Sequence, residues 1–371
     1  MIFRGRLVAL IVKELLLLLR DPRGRVVLIA PPILQLLIFS FAATLEVKNV
    51  SLVVYNQDSG SHGAEIVHRL SGSRTFTDIA LVDSVSALRP YIDEQRAMAA
   101  VHVPGDFSRD IESGGQGSLQ VILDGRRSNA AQIVNGYITQ LATSYGQELQ
   151  LSRGAAASPA VITDRSWFNE NLLYLWFTVP SLVAILAMLV TVIVTALSVA
   201  RERELGTFEQ LLVSPLMPHE ILIGKTVPAM LIGFAEGLLI FLAATLLFGI
   251  PFTGSFGLLV LSLLAFIGSI VGVGLFTSSL SKTQQQAILG TFVFMVPAIT
   301  LSGYAAPVEN MPEWLQLANE INPLKHFLIT IKGLFLKDMP AVEVWSNTWP
   351  LLVISAVTLP VAGWMFRRRL E

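Results

Sequence analysis

The sequence predicts a membrane all-α bundle of about six transmembrane helices with an inserted α/β extracytoplasmic domain. Three observations predict it: the composition, the spacing of long apolar runs, and a polar interval after the first of them. Hydrophobic residues make up 53% of the 371 and charged residues 14%, against roughly 25% charged in a soluble domain. Mean hydropathy is +0.62. A net charge of -1 gives no basic balance for nucleic acid. The absence of cysteine removes disulfides, thiolate metal ligands and cysteine nucleophiles together.

Residues 1-22 are expected to form a cytoplasmic interfacial helix. Arg6, Lys13 and Arg20 recur every seven residues, which places them on one face with leucines over much of the rest. Lys13-Glu14 interrupts the apolar core that a signal peptide would need, and Pro22 would end the helix. A plain extension of the first span is the alternative. Residues 23-45 hold transmembrane helix 1, whose apolar part is Val26–Leu45.

Residues 46-166 read as the α/β domain. Strands are expected at Val50–Tyr55, Thr75–Val82, Met98–Val103 and Leu119–Leu123, with helices at His62–Leu70, Val85–Gln95, Phe107–Glu112 and Ala130–Leu151. Gly154–Pro159 reads as a linker. In 167-371, helices 2 to 6 are expected within Leu172–Ala200, Ile221–Phe248, Phe256–Leu280, Ala287–Tyr304 and Trp349–Phe366. With six spans, the clusters Arg4 to Arg25, Arg201 and Arg203, Lys282, and Arg367 to Arg369 all fall on one side. That places both termini in the cytoplasm and the insert outside it.

Catalytic patterns fail on their spacing. Gly224-Lys225-Thr226 has the tail of a phosphate-binding loop, but His219 stands where its first glycine belongs. His219-Glu220 has Ile223 where a zinc helix needs its second histidine. No metal site, nucleotide-binding signature or nucleophile elbow is expected. Glu236, in the middle of a span, is expensive as an ion and reads either as a pathway residue or as a packing hydrogen bond.

Arg201-Glu202-Arg203-Glu204-Leu205-Gly206-Thr207-Phe208-Glu209-Gln210-Leu211-Leu212-Val213-Ser214-Pro215 resembles the segment after the second span of ABC-2 type transporter permeases. Leu301 to Leu315, followed by Asn322-Pro323-Leu324-Lys325-His326-Phe327, is similar to that family's external segment before the last span. Val103 to Asp110 resembles an element of the periplasmic insert in its bacterial YhhJ-, YbhR- and YbhS-like branch.

The resemblance implies a type V ABC exporter-like fold and a permease that is not itself an enzyme. It would move a hydrophobic or amphipathic substrate by alternating access. The chain would have no cofactor of its own, with ATP and Mg on a separate cytoplasmic ABC ATPase. A second permease chain, identical or a paralogue, would complete the dimer in the bacterial inner membrane, and a periplasmic adaptor could meet the insert. Residues 201-215 become a coupling helix in which Arg201, Glu202, Arg203, Glu204, Gly206, Thr207, Glu209 and Pro215 meet the ATPase, their carboxylates presented outward. The amino-terminal helix with Arg6, Lys13 and Arg20 would lie against the ATPase as well. The segment 305-345 would hold external re-entrant helices. Thr178, Thr191, Thr195, Glu236 and Thr291 would line the pathway, with Tyr304, Trp314 and Phe327 as gate residues. The alternative is an ATPase-driven mechanotransmitter that acts on an envelope partner without passing cargo.

Overall fold

The computed structural model describes residues 2–20, 22–41, 49–73, 75–152, 168–169, 173–206 and 217–368. The expected linker Gly154–Pro159 and, in the coupling stretch, Thr207, Glu209 and Pro215 lie outside the described residues. The chain forms two compact units, one of Met1–Ala43 with Ser166–Glu371 and the other of Thr44–Arg165. The first begins with α1 (Ile2–Arg20) and α2 (Pro22–Phe41).

The second unit runs β1 (Val50–Asn56), α3 (Ser61–Gly72), β2 (Phe76–Leu81), α4 (Val85–Asp93), β3 (Ala99–Val103), α5 (Phe107–Glu112), β4 (Gln120–Leu123) and α6 (Ser128–Ser152). The sheet order is β2-β1-β3-β4, with β1 parallel to β2 and β3, and β4 antiparallel to β3. Residues 52–54 of β1 are buried without alternation because both faces are covered. Leu52 and Val54 pack with Ile66 and Leu70 of α3 and Val134 and Ile138 of α6. Val53 packs with Leu88 of α4 and Ala100 of β3 on the opposite face. Asp58, just past β1, accepts from the Ser108 hydroxyl at 2.5 Å and the Gly63 amide at 3.0 Å, which ties the starts of α3 and α5 together.

The first unit resumes with α7 (Tyr174–Glu204), α8 (Pro218–Leu242, continued by a π turn at Ala243–Leu247), α9 (Phe256–Leu280), α10 (Gln284–Leu301), α11 (Glu313–Ala318), α12 (Pro323–Leu336) and α13 (Ala341–Arg368). Among the described residues, five helices are long and apolar enough to cross a membrane: α7, α8 with its π turn, α9, α10 and α13. The first expected span falls in α2, whose apolar stretch of described residues is the shorter Ile29–Phe41.

α7 is buried on all sides from Thr178 to Val192, as an apolar helix at the middle of a bundle must be. It packs against α2, α8, α9, α10 and α12. Small residues permit the close approaches: a Cβ on Gly274 of α9 would lie 2.6 Å from Thr195 Cβ. Asn319 and Asn322 donate to the carbonyls of Leu301 and Ala298 at 2.7 Å and 2.8 Å, satisfying the open end of α10.

Candidate functional site

Charged residues converge where α1, the end of α7 and the start of α8 meet. Leu10 and Glu14 lie one helical turn apart on α1. Gly224 of α8 receives Leu10, since a Cβ there would come 2.7 Å from Leu10 Cγ. The missing side chain lets the two helices touch, and Lys225 then reaches Glu14. Lys225 Nζ stands 2.7 Å from Glu202 Oε2 and 3.5 Å from Glu14 Oε1, and donates to the Ser198 carbonyl at 3.1 Å. Side-chain exposures are 1% for Lys225, 8% for Glu14 and 12% for Glu202. Lys13, half exposed, stands 3.6 Å from Glu14 and 3.8 Å from Glu202. A buried cation between two carboxylates is tolerable only in such an arrangement, where each ion faces a counter-ion.

Two neighbouring charges of the block bond the ends of adjacent helices. Arg203 donates to the carbonyls of Ser279 and Ser281 at 3.0 Å and 3.1 Å, at the negative end of α9. Glu204 accepts from the Gln284 amide at 2.7 Å, at the positive end of α10. Arg201 shares a shallow groove with Lys13, Leu17 and Arg20 of α1. Leu205 and Gly206 close the helix, their amides bonding Arg201 and Arg203 carbonyls, and Gly206 adopts φ +71. That left-handed turn suits glycine at a helix end. The expectation of outward carboxylates is therefore corrected for Glu202, which is drawn in by Lys225; Glu204 stays exposed while it accepts from the start of α10. Arg6, Lys13 and Arg20 do lie exposed.

The pathway residues occupy separate environments. Thr191, Thr195 and Thr291 are buried and donate to carbonyls of their own helices at 2.6 Å, 2.6 Å and 2.9 Å. The hydroxyl of Thr178 is buried with no hydrogen-bond partner among the described residues. Glu236 is half-buried on α8, one turn from Gly233, which lies against Thr191. Of the three expected gate aromatics, Phe327 is core, stacked on Phe266 at 4.4 Å. Tyr304 stacks on Phe177 at 6.1 Å, with Lys332 Nζ 3.8 Å from that ring. Trp314 is 70% exposed.

Sequence reasoning missed Glu14 and Lys225. The signal was present in two places. Glu14 interrupts a leucine-rich helix, and Lys225 is a cation inside the apolar run Ile221–Phe248, next to a glycine.

Comparison with known proteins gives a consistent relationship. Residues 26–364 match the family model described as ABC-2 family transporter protein. The chain is 46% identical over 364 residues to the probable multidrug ABC transporter permease YbhR of Escherichia coli K12, covering 98% of this chain and 99% of that one. It is 29% identical to the probable multidrug ABC transporter permease YbhS of the same organism, covering 99% and 98%. The inner membrane transport permease YhhJ of that strain is 28% identical, over 75% of each chain.

Proposed function

The chain belongs to the ABC-2 family of transporter permeases, and from that premise we propose that it carries a hydrophobic or amphipathic substrate across the bacterial inner membrane as part of an exporter. Permeases of this family are membrane subunits rather than enzymes; ATP hydrolysis lies in a separate subunit, and a second permease chain completes the transporter. In this reading ATP and Mg sit on that partner, both termini of this chain are cytoplasmic, and the second unit is extracytoplasmic, where an adaptor could meet it. The relatives YbhR and YbhS are named as probable multidrug permeases, which supports an apolar or amphipathic cargo.

The observation that carries the mechanism is the clamp at the end of α7. Glu202 joins it to α8 and α1 through Lys225, Arg203 to α9, and Glu204 to α10. A stroke delivered by the ATPase to residues 205–216 would therefore move α7 together with four other helices rather than alone. Thr207, Glu209 and Pro215 would meet the ATPase, Gly206 ends the rigid helix, and the exposed Arg6, Lys13 and Arg20 would meet the same partner or the headgroups. Alternating access follows as a shift between two packings of the bundle against its second chain. The Thr178, Glu236 and Thr291 surroundings line the route, and Tyr304 with Phe177 bounds one end of it.

The test is purification from native membranes in mild detergent, beside a Glu209→Arg variant, with mass spectrometry for a stoichiometric ATPase. Copurification with the parent and loss from the variant is expected. A folded, dimeric parent that brings no ATPase would overturn the reading.

A further inference from the structure

We propose that the second unit holds a binding site for an uncharged amphipathic small molecule, in the cavity between the α5–β4 connection and α6. This inference goes beyond transport and stands whether or not the permease mechanism is as described. The cavity measures about 610 Å³, within the range of roughly 300–1,000 Å³ typical of small-molecule sites. Phe107, Ile111 and Ile138 form an apolar floor, while Gln116, Thr143 and Gln147 stand around the opening. Among the described residues, no Asp, Glu, Lys, Arg or His lines it. A charged ligand would meet no counter-ion on these walls, whereas an apolar body with an amide, ether or hydroxyl group would find both floor and rim.

The cavity is built rather than left over. One wall is fixed by the way α5 ends. The Gly114 amide bonds the Ile111 carbonyl at 3.1 Å, the Gly115 amide bonds the Asp110 carbonyl at 2.8 Å, and Gly114 adopts φ +85. This paired-bond stop holds the following chain away from α6. Gly117 then passes so close to the floor that a Cβ would stand 2.7 Å from Phe107 Cε2. On the other wall Tyr145 is pinned by His62 Nδ1 at 2.6 Å and by the Arg69 guanidinium 4.7 Å above its ring. Glu148, next to Gln147, is drawn off by Arg69 at 2.6 Å. Open space begins at Gly146, where an added Cβ would meet nothing within 4 Å.

The native chain has no cysteine, so Thr143→Cys introduces a single thiol at the rim. The full chain in lipid nanodiscs would be labelled with a water-soluble maleimide in the presence of Nile red, which is neutral. Parallel samples would contain the tetraphenylphosphonium cation or the anilinonaphthalenesulfonate anion. Nile red should slow labelling saturably, about tenfold at roughly ten times its Kd, and neither ion should do so. Ser144→Cys, exposed beside the site, should react at one rate throughout. Adding Gly146→Leu to Thr143→Cys should abolish the saturable protection without lowering the melting temperature; Gln147→Leu gives a second route to altered protection if that variant does not fold. Absence of saturable protection by Nile red, or equal protection by the ions, would overturn the proposal. So would a thiol already unreactive in the unliganded protein, because the chain itself or a second copy would then fill the cavity.

Discussion

Replacing Lys225 by methionine keeps most of the side chain's length and removes the cation that Glu14 and Glu202 share. Both carboxylates are nearly inaccessible to water, at 2.7 Å and 3.5 Å from Nζ. Gross Coulomb attraction at these distances is several kcal/mol even at an effective dielectric near 20, but much of it offsets the cost of desolvation. The relevant quantity is the penalty for stranding the partners, about 3–5 kcal/mol for a buried pair. Lys13 remains at 3.6 Å and 3.8 Å and holds the loss toward the lower end, about 3 kcal/mol by the same reasoning. At 2–4 °C per kcal/mol, the apparent melting temperature should fall by roughly 6–12 °C. The assay is scanning fluorimetry of the full chain in nanodiscs at one fixed heating rate, since unfolding of such proteins is irreversible. Adding Glu14→Gln and Glu202→Gln to Lys225→Met removes the stranded charges and should recover most of the loss. A single variant that melts with the native protein, or a triple variant that melts as low as the single, would refute the reasoning.

Other substitutions probe the same architecture. Gly224→Leu should unseat α1 at a cost of about 1–3 kcal/mol, seen as faster proteolysis near residue 20; Leu10→Ala in that background should restore protection, and its failure to do so would place the clash elsewhere. Glu204→Ala removes the acceptor at the start of α10 at a cost of about 1 kcal/mol; hydrogen exchange should quicken at residues 284–287, and unchanged exchange there would argue against the cap. Asp58 supplies a pH dependence. Burial alone would raise its pKa, but the Ser108 hydroxyl and the amides of Ser108, Gly63 and Gly60 hold it below the ordinary 3.8. A depressed folded pKa contributes stability above the unfolded value and loses it as pH falls through the folded one. Protection of residues 56–63 and 106–112 against hydrogen exchange should therefore drop below pH 3.8, and less steeply in Asp58→Asn. Identical acid profiles would remove Asp58 from that role.

Local elements were legible because they depend on period and punctuation. The strand expected at Val50–Tyr55 is β1, Val50–Asn56, and the helix expected at Phe107–Glu112 is α5. Phe256–Leu280 likewise matches α9, since twenty-odd apolar residues between polar ends define a helix by themselves. α1 stops at Arg20 and α2 begins at Pro22. The family was legible too, in the charged block and the Pro-rich segment near the last span.

The sequence by itself determined the class of molecule, the helical or extended state of many described segments, and the family, because hydrophobicity and turn chemistry act over a few residues. What each charge does was decided only by tertiary structure. Arg201 to Glu204 read as a displayed surface, yet Glu202 is drawn to Lys225 of α8 and Arg203 to the end of α9, while Glu204, still exposed, meets the start of α10. Glu14 and Lys225, 211 positions apart, become partners only because Gly224 admits Leu10. A desolvated ion binds whichever counter-charge packing brings within reach, and that reach is a property of helices meeting in space.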